Sequence, residues 1–356
     1  MSTLPVDRRV GRGFTLVEML VVITIIALLA GLAIPAVIVA RTHVRNAAIA
    51  TDVKQLEMAC QAYKEKFGEY PPDFAFVDLS VIPTGTAPPF LTGTQQTNAQ
   101  SAAQAAVLRH LAKAFSRYTP GVKGGGMGWA GFCNDLAAAG VDYNALTPQT
   151  ALAFWLGGVP DGITYLPSGF AADPTNPFQT PQQCASRIMP FFDFDVTRLK
   201  AVGTATLTAV SGTSNRAWLY WPQGADADHS TGAIAYFRAE NGTYTVTDSS
   251  SNVYIKGTLD AGDANGGTVY PAFDSRLLVT NADGSHAVTW INPASVQIFA
   301  AGLDTRFGAV VPATTSKVTS LYDSALAFPT GENYVAPYTY DDITNFSGGK
   351  LESAMP

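Results

Sequence analysis

The sequence predicts an α+β chain: one long N-terminal helix, membrane-spanning over its first half, with its second half packed on a C-terminal antiparallel β-sheet. Three observations carry this prediction. Residues 13–40, GFTLVEMLVVITIIALLAGLAIPAVIVA, hold a single charge, Glu18, and 22 uncharged residues follow it before Arg41. A run of about 20 apolar residues spans a bilayer as a helix, so this one is long enough. After Arg45, apolar or small residues recur at Ile49, Val53, Leu56, Cys60, Tyr63 and Phe67, spaced 4, 3, 4, 3 and 4, a one-sided helical stripe. From Ala217 onward the runs become β-branched and aromatic, parted by Gly, Asn and Asp.

Taken in order, residues 1–13 form a short leader in which Arg8, Arg9 and Arg12 face one acid, Asp7. The positive-inside bias holds such a segment in the cytoplasm and places everything after Arg41 outside it. One helix from about Phe14 to Phe67 follows, its half over 14–40 in lipid or a filament core and its half over 41–72 amphipathic. Pro35 is expected to kink or locally melt it. Lys54, Glu57, Lys64, Glu65 and Lys66 mostly occupy the faces opposite the stripe, and Gly68 with Pro71-Pro72 ends it. Residues 73–215 read as a loop-rich helical insertion. Within it, Ala102–Tyr118 is a helix, and Gly121–Gly128 a flexible linker without the Gly-Lys-Ser/Thr ending of a phosphate loop. Thr147–Leu156 is a short helix with Thr147 as cap and Pro148 at its first position. Residues 216–356 make the sheet, with strands at Ala217–Trp221, Ala233–Arg238, Tyr244–Thr247, Val253–Ile255 and Val296–Ala300.

Other readings of residues 13–40 fit less well. A secretory signal peptide has a shorter apolar core followed by a small-residue cleavage site, and Arg41-Thr-His-Val-Arg45 offers none. An ordinary signal anchor tolerates Glu18 only by snorkelling it to the interface, because an unpaired carboxylate in lipid is expensive.

Glycine before phenylalanine, a glutamate at the fifth position after that glycine, and a long apolar run together resemble the class III signal of type IV pilins and type II secretion pseudopilins. The resemblance implies cleavage by a prepilin peptidase after Gly13 and methylation of the new N-terminal Phe14. It also implies that Glu18 pairs with the Phe14 amine of the adjacent subunit as the filament grows. Such a pair relieves the desolvation of both charges and sets register. Two further stretches narrow the likeness. Lys66-Phe67-Gly68-Glu69-Tyr70-Pro71-Pro72 looks like the Tyr-Pro turn after the helix of the major pseudopilin. Phe299 to Gly308 and Asp341-Asp342-Ile343-Thr344-Asn345-Phe346 are similar to its Gly-x-Asp-x-x-x-Gly loop and its closing Asp-Ile-x-Asn-aromatic segment. Residues 73–290 have no counterpart there.

That likeness implies a pilin fold and a structural subunit that polymerises into a type II secretion pseudopilus supporting protein export. The partners it implies are copies of the chain, other pseudopilins, the inner-membrane assembly platform and membrane lipid before assembly. It places the chain in the inner membrane with a periplasmic head, then in a periplasmic or surface filament. The alternative is a type IV pilus subunit whose head binds surfaces or partners. Calcium is the implied cofactor, with Asp304, Asp341 and Asp342 as ligands, since calcium takes carboxylates mixed with loop carbonyls. Adjacent aspartates are also common in turns.

Composition excludes several classes. Net charge is −6, nearer −8 once the leader is removed, which argues against nucleic acid as a partner. Four histidines occur without ligand spacing, and Ser168-Gly169 and Ser211-Gly212 are not nucleophile elbows, so no catalytic set stands out. Asp193 and Asp195 could face one side of a strand as paired carboxylates but read better as a solvated strand face, and Trp218, Tyr220 and Trp221 read as sheet core ahead of a carbohydrate-binding surface. Cys60, Cys133 and Cys184 fit no zinc spacing. An oxidising compartment allows one bridge, for which Cys133 and Cys184 are the expected pair, with Cys60 a buried helix residue.

Overall fold

The computed structural model describes residues 15–77, 93–202, 216–223, 231–250, 253–259, 268–274, 279–280, 286–287, 289–303, 305–307, 327–328 and 342–347. Helix α1 (Leu16–Phe67) runs unbroken through both sequence patterns, with Pro35 inside it. The expected local melting does not occur: the ring removes one amide donor without ending the helix. Residues 1–45 and 46–356 form two compact units.

In the first unit, α1 between Glu18 and Arg41 is apolar all round and its large side chains are exposed, from Met19 through Leu32 to Val39. In the second, the helix buries Ile49, Val53, Leu56, Cys60, Tyr63 and Phe67, every residue of the predicted stripe, and adds Asp52 and Ala59. Gly68 closes it at φ +82°, its amide donating to the Lys64 carbonyl at 2.7 Å. A left-handed residue after the last turn suits glycine.

Three more helices follow. Helix α2 (Gly93–Ala114) starts earlier than the predicted 102–118 segment and stops sooner. Helix α3 (Gly128–Ala138), absent from the sequence reading, buries Phe132, Cys133, Asp135 and Leu136. Helix α4 (Ala151–Gly157) is buried at every residue. It begins after Thr150 rather than at Thr147, because Thr147–Thr150 form a turn of their own, the Thr147 amide donating to Thr150 Oγ1 at 2.9 Å. Its Trp155 anchors an aromatic cluster with Tyr63, Phe74 and His110, ring centroids 5.1–6.2 Å away.

The strands are short and mostly antiparallel. Strand β1 (Phe170–Ala171) pairs with β2 (Arg187–Ile188), and β3 (Leu199–Val202) with β4 (Ala217–Tyr220). After β5 (Ala235–Arg238), β6 (Thr245–Thr247) pairs with β7 (Val253–Ile255), and β8 (Thr258–Leu259) with β9 (Thr268–Val269). Then come β10 (Phe273–Asp274), the pair β11 (Val279–Thr280) and β12 (His286–Ala287), β13 (Val296–Ala300), β14 (Ala327–Phe328), parallel to β10, and β15 (Ile343–Thr344). The central sheet is β15-β13-β5, antiparallel throughout. It is covered on both faces. Tyr236, Val296, Ile298 and Ala300 point into a core shared with the helices, and Ala235, Phe237 and Phe299 into a second core with Phe273 and Trp290. Alternating side chains on two covered faces explain why β13 is buried at every position. The first core draws on residues from Ile49 to Ile343, so the 73–215 segment and the sheet share one interior.

Two expectations on loops change. The Gly121–Gly128 stretch is not a free linker. It wraps the buried carboxylate of Asp135, which accepts from the Tyr118 hydroxyl at 2.8 Å and from the amides of Gly121, Lys123 and Gly124 at 2.7–2.8 Å. A Cβ on Gly121 (φ +94°) would meet the Gly126 carbonyl at 2.2 Å, so the loop needs its glycine there. Asp193 and Asp195 do not share a strand face: Asp195 caps a single 3-10 turn, accepting from the Thr197 amide at 2.9 Å.

Candidate functional site

Gly13 and Phe14 lie outside the described residues. The first described contact is made by Thr15 and Glu18. Thr15 Oγ1 accepts from the Glu18 amide at 3.2 Å, and Glu18 Oε2 accepts from the Thr15 amide at 2.8 Å and its hydroxyl at 2.9 Å. This reciprocal pair is a capping box, which satisfies two of the amides every helix start leaves orphaned. The Thr-x-x-Glu signal for it was present in the sequence and was missed. Glu18 therefore sits in the first turn of a helix whose next 22 residues are uncharged. At a rise of about 1.5 Å each, they extend ~33 Å, close to the ~30 Å of a hydrocarbon core. Among the described residues, α1 is the one helix long and apolar enough to cross a membrane, and its apolar window is wholly uncovered. A bare apolar helix of this size requires lipid or other protein around it.

The other end of α1 carries a buried polar network. His110 of α2 lies between Tyr63 and Glu69, its Nε2 2.8 Å from Tyr63 Oη and its Nδ1 2.6 Å from Glu69 Oε1. The partners assign the tautomer: Nδ1–H donates to Glu69, and Nε2 accepts from the tyrosine hydroxyl. The order hydroxyl, imidazole, carboxylate resembles a nucleophilic triad, yet Tyr63 and His110 are wholly enclosed among Trp155 and Phe191. They hold the fold. Glu69 also faces Arg238 of β5 at 3.2 Å and Lys113 at 3.5 Å. The His110 hydrogen bond, helped by these cations, lowers its pKa to about 2. Burial pushes the His110 pKa below its ordinary value despite Glu69.

The Tyr-Pro turn is stitched to β5 through this network. Prolines offer carbonyls without amides, so donors must come from elsewhere. Tyr236 Oη donates to the Pro71 carbonyl and an Arg238 guanidinium nitrogen to the Tyr70 carbonyl, both at 2.8 Å. Asp73 then meets Lys256, which follows β7, at 2.8 Å, with Glu240 3.1 Å from the same ammonium. Two carboxylates keep this lysine protonated against the pull of burial. A third buried charge, Asp52 of α1, pairs with Arg198 and accepts from the Gln223 amide at 2.8 Å. Asp52 stands on the buried side of α1, three residues after Ile49 and four before Leu56, so the period places it inward and only its charge argues for the surface.

Of the expected metal ligands, Asp304 and Asp341 lie outside the described residues, and Asp342 is buried just before β15. Among the described residues, no group of three or more His, Cys, Asp or Glu could hold a metal ion. The closing segment is locked by Asn345 and by Phe346, whose ring lies 5.7 Å from Phe299. The expected Cys133–Cys184 bridge is corrected: none of the three cysteines is in a disulfide. Cys133 lies on the buried face of α3, whereas Cys184 ends a turn from Thr180 and its thiol donates to the Ser186 carbonyl at 3.4 Å.

Residues 8–34 match the family model described as the prokaryotic N-terminal methylation motif. No curated protein and no solved structure matches the chain. The N-terminal segment is thus a type IV pilin-like methylation signal running directly into an uncovered apolar helix.

Proposed function

We propose that the chain is a structural subunit of a type II secretion pseudopilus, cut after Gly13, methylated at Phe14 and polymerised through the first half of α1. The observation that carries this reading is the methylation motif at 8–34 leading into an apolar helix whose apolar window none of the described residues buries. In lipid the helix is a membrane anchor with the head on the periplasmic side; in a filament the same surface is covered by copies of the chain or related subunits. Glu18 then exchanges its capping partners for the Phe14 amine of a neighbour. Two buried charges that satisfy one another fix subunit register, and removing one leaves the other stranded. The subunit does no chemistry itself and moves as the inner-membrane platform adds copies. Calcium held by Asp304, Asp341 and Asp342 belongs to the same proposal, its part being to order the closing segment.

The test uses full-length chain expressed with an active prepilin peptidase. N-terminal analysis of the membrane fraction should give N-methyl-Phe14, and sheared filaments identified by mass spectrometry should contain the chain. Glu18→Ala should be processed normally and yield few or no filaments. An intact Met1 terminus would refute the processing, and normal filament yield from Glu18→Ala would refute the pairing. Capture of an outer-membrane secretin with its cargo supports secretion, whereas surface filaments without it favour the type IV pilus reading.

A further inference from the structure

We propose that Lys256 and Asp73 condense into an intramolecular isopeptide bond, with Glu240 as proton carrier. Among the described residues Lys256 is the most enclosed lysine or arginine, its side chain 1% exposed, and the Asp73 side chain is 5% exposed. All three ammonium hydrogens are engaged: with Asp73 Oδ2 at 2.8 Å, the Arg238 carbonyl at 3.0 Å and Glu240 Oε1 at 3.1 Å. The Asp73 carboxylate is equally fixed. Its Oδ2 accepts from the Arg238 amide at 2.8 Å and its Oδ1 from the Ala75 amide at 3.1 Å. Reactants held in contact by the fold forgo the entropy a bimolecular encounter costs.

The surroundings favour the product. Asp73, Glu240 and Lys256 line one cavity together with Arg238 and the apolar Phe74, Val107 and Val246. In water an ammonium and a carboxylate resist condensation because both ions are well solvated. Buried, the same pair carries the desolvation penalty of two charges, and an amide carries neither. The resting pair is ammonium and carboxylates; reaction proceeds from the minor population in which one proton has passed from the ammonium to Glu240, and the freed nitrogen lone pair attacks Asp73 Cγ. The new N–C bond forms a tetrahedral centre whose negative charge falls on oxygens already facing two backbone amides. Oδ2 then takes the proton from Glu240 and a second from the attacking nitrogen, the C–Oδ2 bond breaks, and one water leaves. Glu240 ends as the carboxylate it began as, and nothing is oxidised or reduced. The product ties the turn after α1 to the end of β7, across 183 positions of sequence. A covalent tie there would stop the helix from being drawn out of the head when a filament is under load.

The test is a peptide map of the full-length chain, solubilised in detergent, denatured and digested with trypsin. The expected result is a branched peptide joining the Asp73 and Lys256 segments, one water lighter than their sum, with no cleavage after Lys256. Glu240→Gln should restore cleavage there and a reactive amine while circular dichroism shows the fold retained. Should that variant fail to fold, the wild-type map decides alone. Full cleavage after Lys256 in the denatured wild type overturns the proposal, and so does a branch from Lys256 to Glu240.

Discussion

Asn345 Nδ2 donates to Glu57 Oε1 at 3.1 Å, joining residues 288 positions apart. The same carboxamide accepts from the Ile298 amide at 3.0 Å and donates to the Val296 carbonyl at 3.1 Å. One side chain thus fastens the closing segment to the central strand and to α1. Removing it leaves partly buried donors and acceptors unmatched, at roughly 1–3 kcal/mol. Asn345→Ala should lower the melting temperature of the full chain. Asn345→Asp should lower it further, because it sets a carboxylate against Glu57 and the Val296 carbonyl. Melting of both variants at the wild-type temperature would show that the carboxamide is dispensable.

The glycine loop yields a second prediction. Four donors converge on Asp135, three of them backbone amides of the loop, and Lys123 stands exposed between them. Asp135→Asn keeps the shape but replaces one acceptor oxygen with a donor, so part of the loop must detach. Trypsin should then cut after Lys123 much faster than in the wild type, with the rest of the head protected. Equal cleavage rates would mean the loop is held by its glycines and not by the carboxylate.

These two sites mark where the sequence was legible and where it was not. The stripe from Ile49 to Phe67 was readable because period alone decides which side of a helix is buried, and all six residues face inward. Strands β5, β7 and β13 lie inside the predicted runs for a similar reason: β-branched and aromatic residues between turn formers leave few alternatives. Asp52, Asp73, Asp135 and Lys256 were not readable, since a buried charge looks like a surface one until its partner is known. Those partners, such as Arg198 for Asp52 and Lys256 for Asp73, lie far away in sequence. The GVKGGGMG run suggested slackness by composition, yet its amides were free to wrap a carboxylate because glycine imposes no other conformation. At the candidate assembly site Glu18 was identified by its charge, whereas its bond to Thr15 required reading Thr-x-x-Glu as a capping box.

The Glu69–His110 pair sets a pH dependence whose sign can be worked out. His110 is depressed below its ordinary 6.5 because burial disfavours the cation more than Glu69 favours it, with Arg238 and Lys113 adding to the burial effect. The unfolded chain therefore binds this proton first, and stability falls as pH drops below about 6.5. Glu69, lowered from 4.5 to about 2, contributes fully above 4.5 and loses its contribution between 4.5 and 2. Both groups act in one direction, so the melting temperature should decline from pH 7 towards pH 4 and continue down from there. His110→Gln should flatten the upper part of that decline and also weaken the lower, because the His110 hydrogen bond is the largest cause of the lowered Glu69 pKa. A wild-type melting temperature constant from pH 7 to pH 5 would contradict the buried neutral imidazole.

Calcium makes the last prediction. Asp342 is 3% exposed and immediately precedes Ile343, which pairs with Ala300 of β13. A cation bound there with Asp304 and Asp341 would tie the segment after β13 to the closing strand. Anything that binds the folded state alone stabilises it by mass action, about 2.7 kcal/mol at a hundredfold excess over Kd. The full chain in detergent should melt higher in calcium than in chelator, and magnesium should substitute poorly because it demands a tighter octahedron and gives up its waters reluctantly. Asp342→Asn retains the shape of the side chain and loses its charge, so it should remove the calcium response without abolishing folding. Limited proteolysis supplies an independent readout: cleavage between Gly331 and Ser347 should be suppressed by calcium in the wild type and not in Asp342→Asn. Identical melting and cleavage in calcium and chelator would reassign the three aspartates to turns, and the secretion-pseudopilin proposal would lose its support at the C-terminal end.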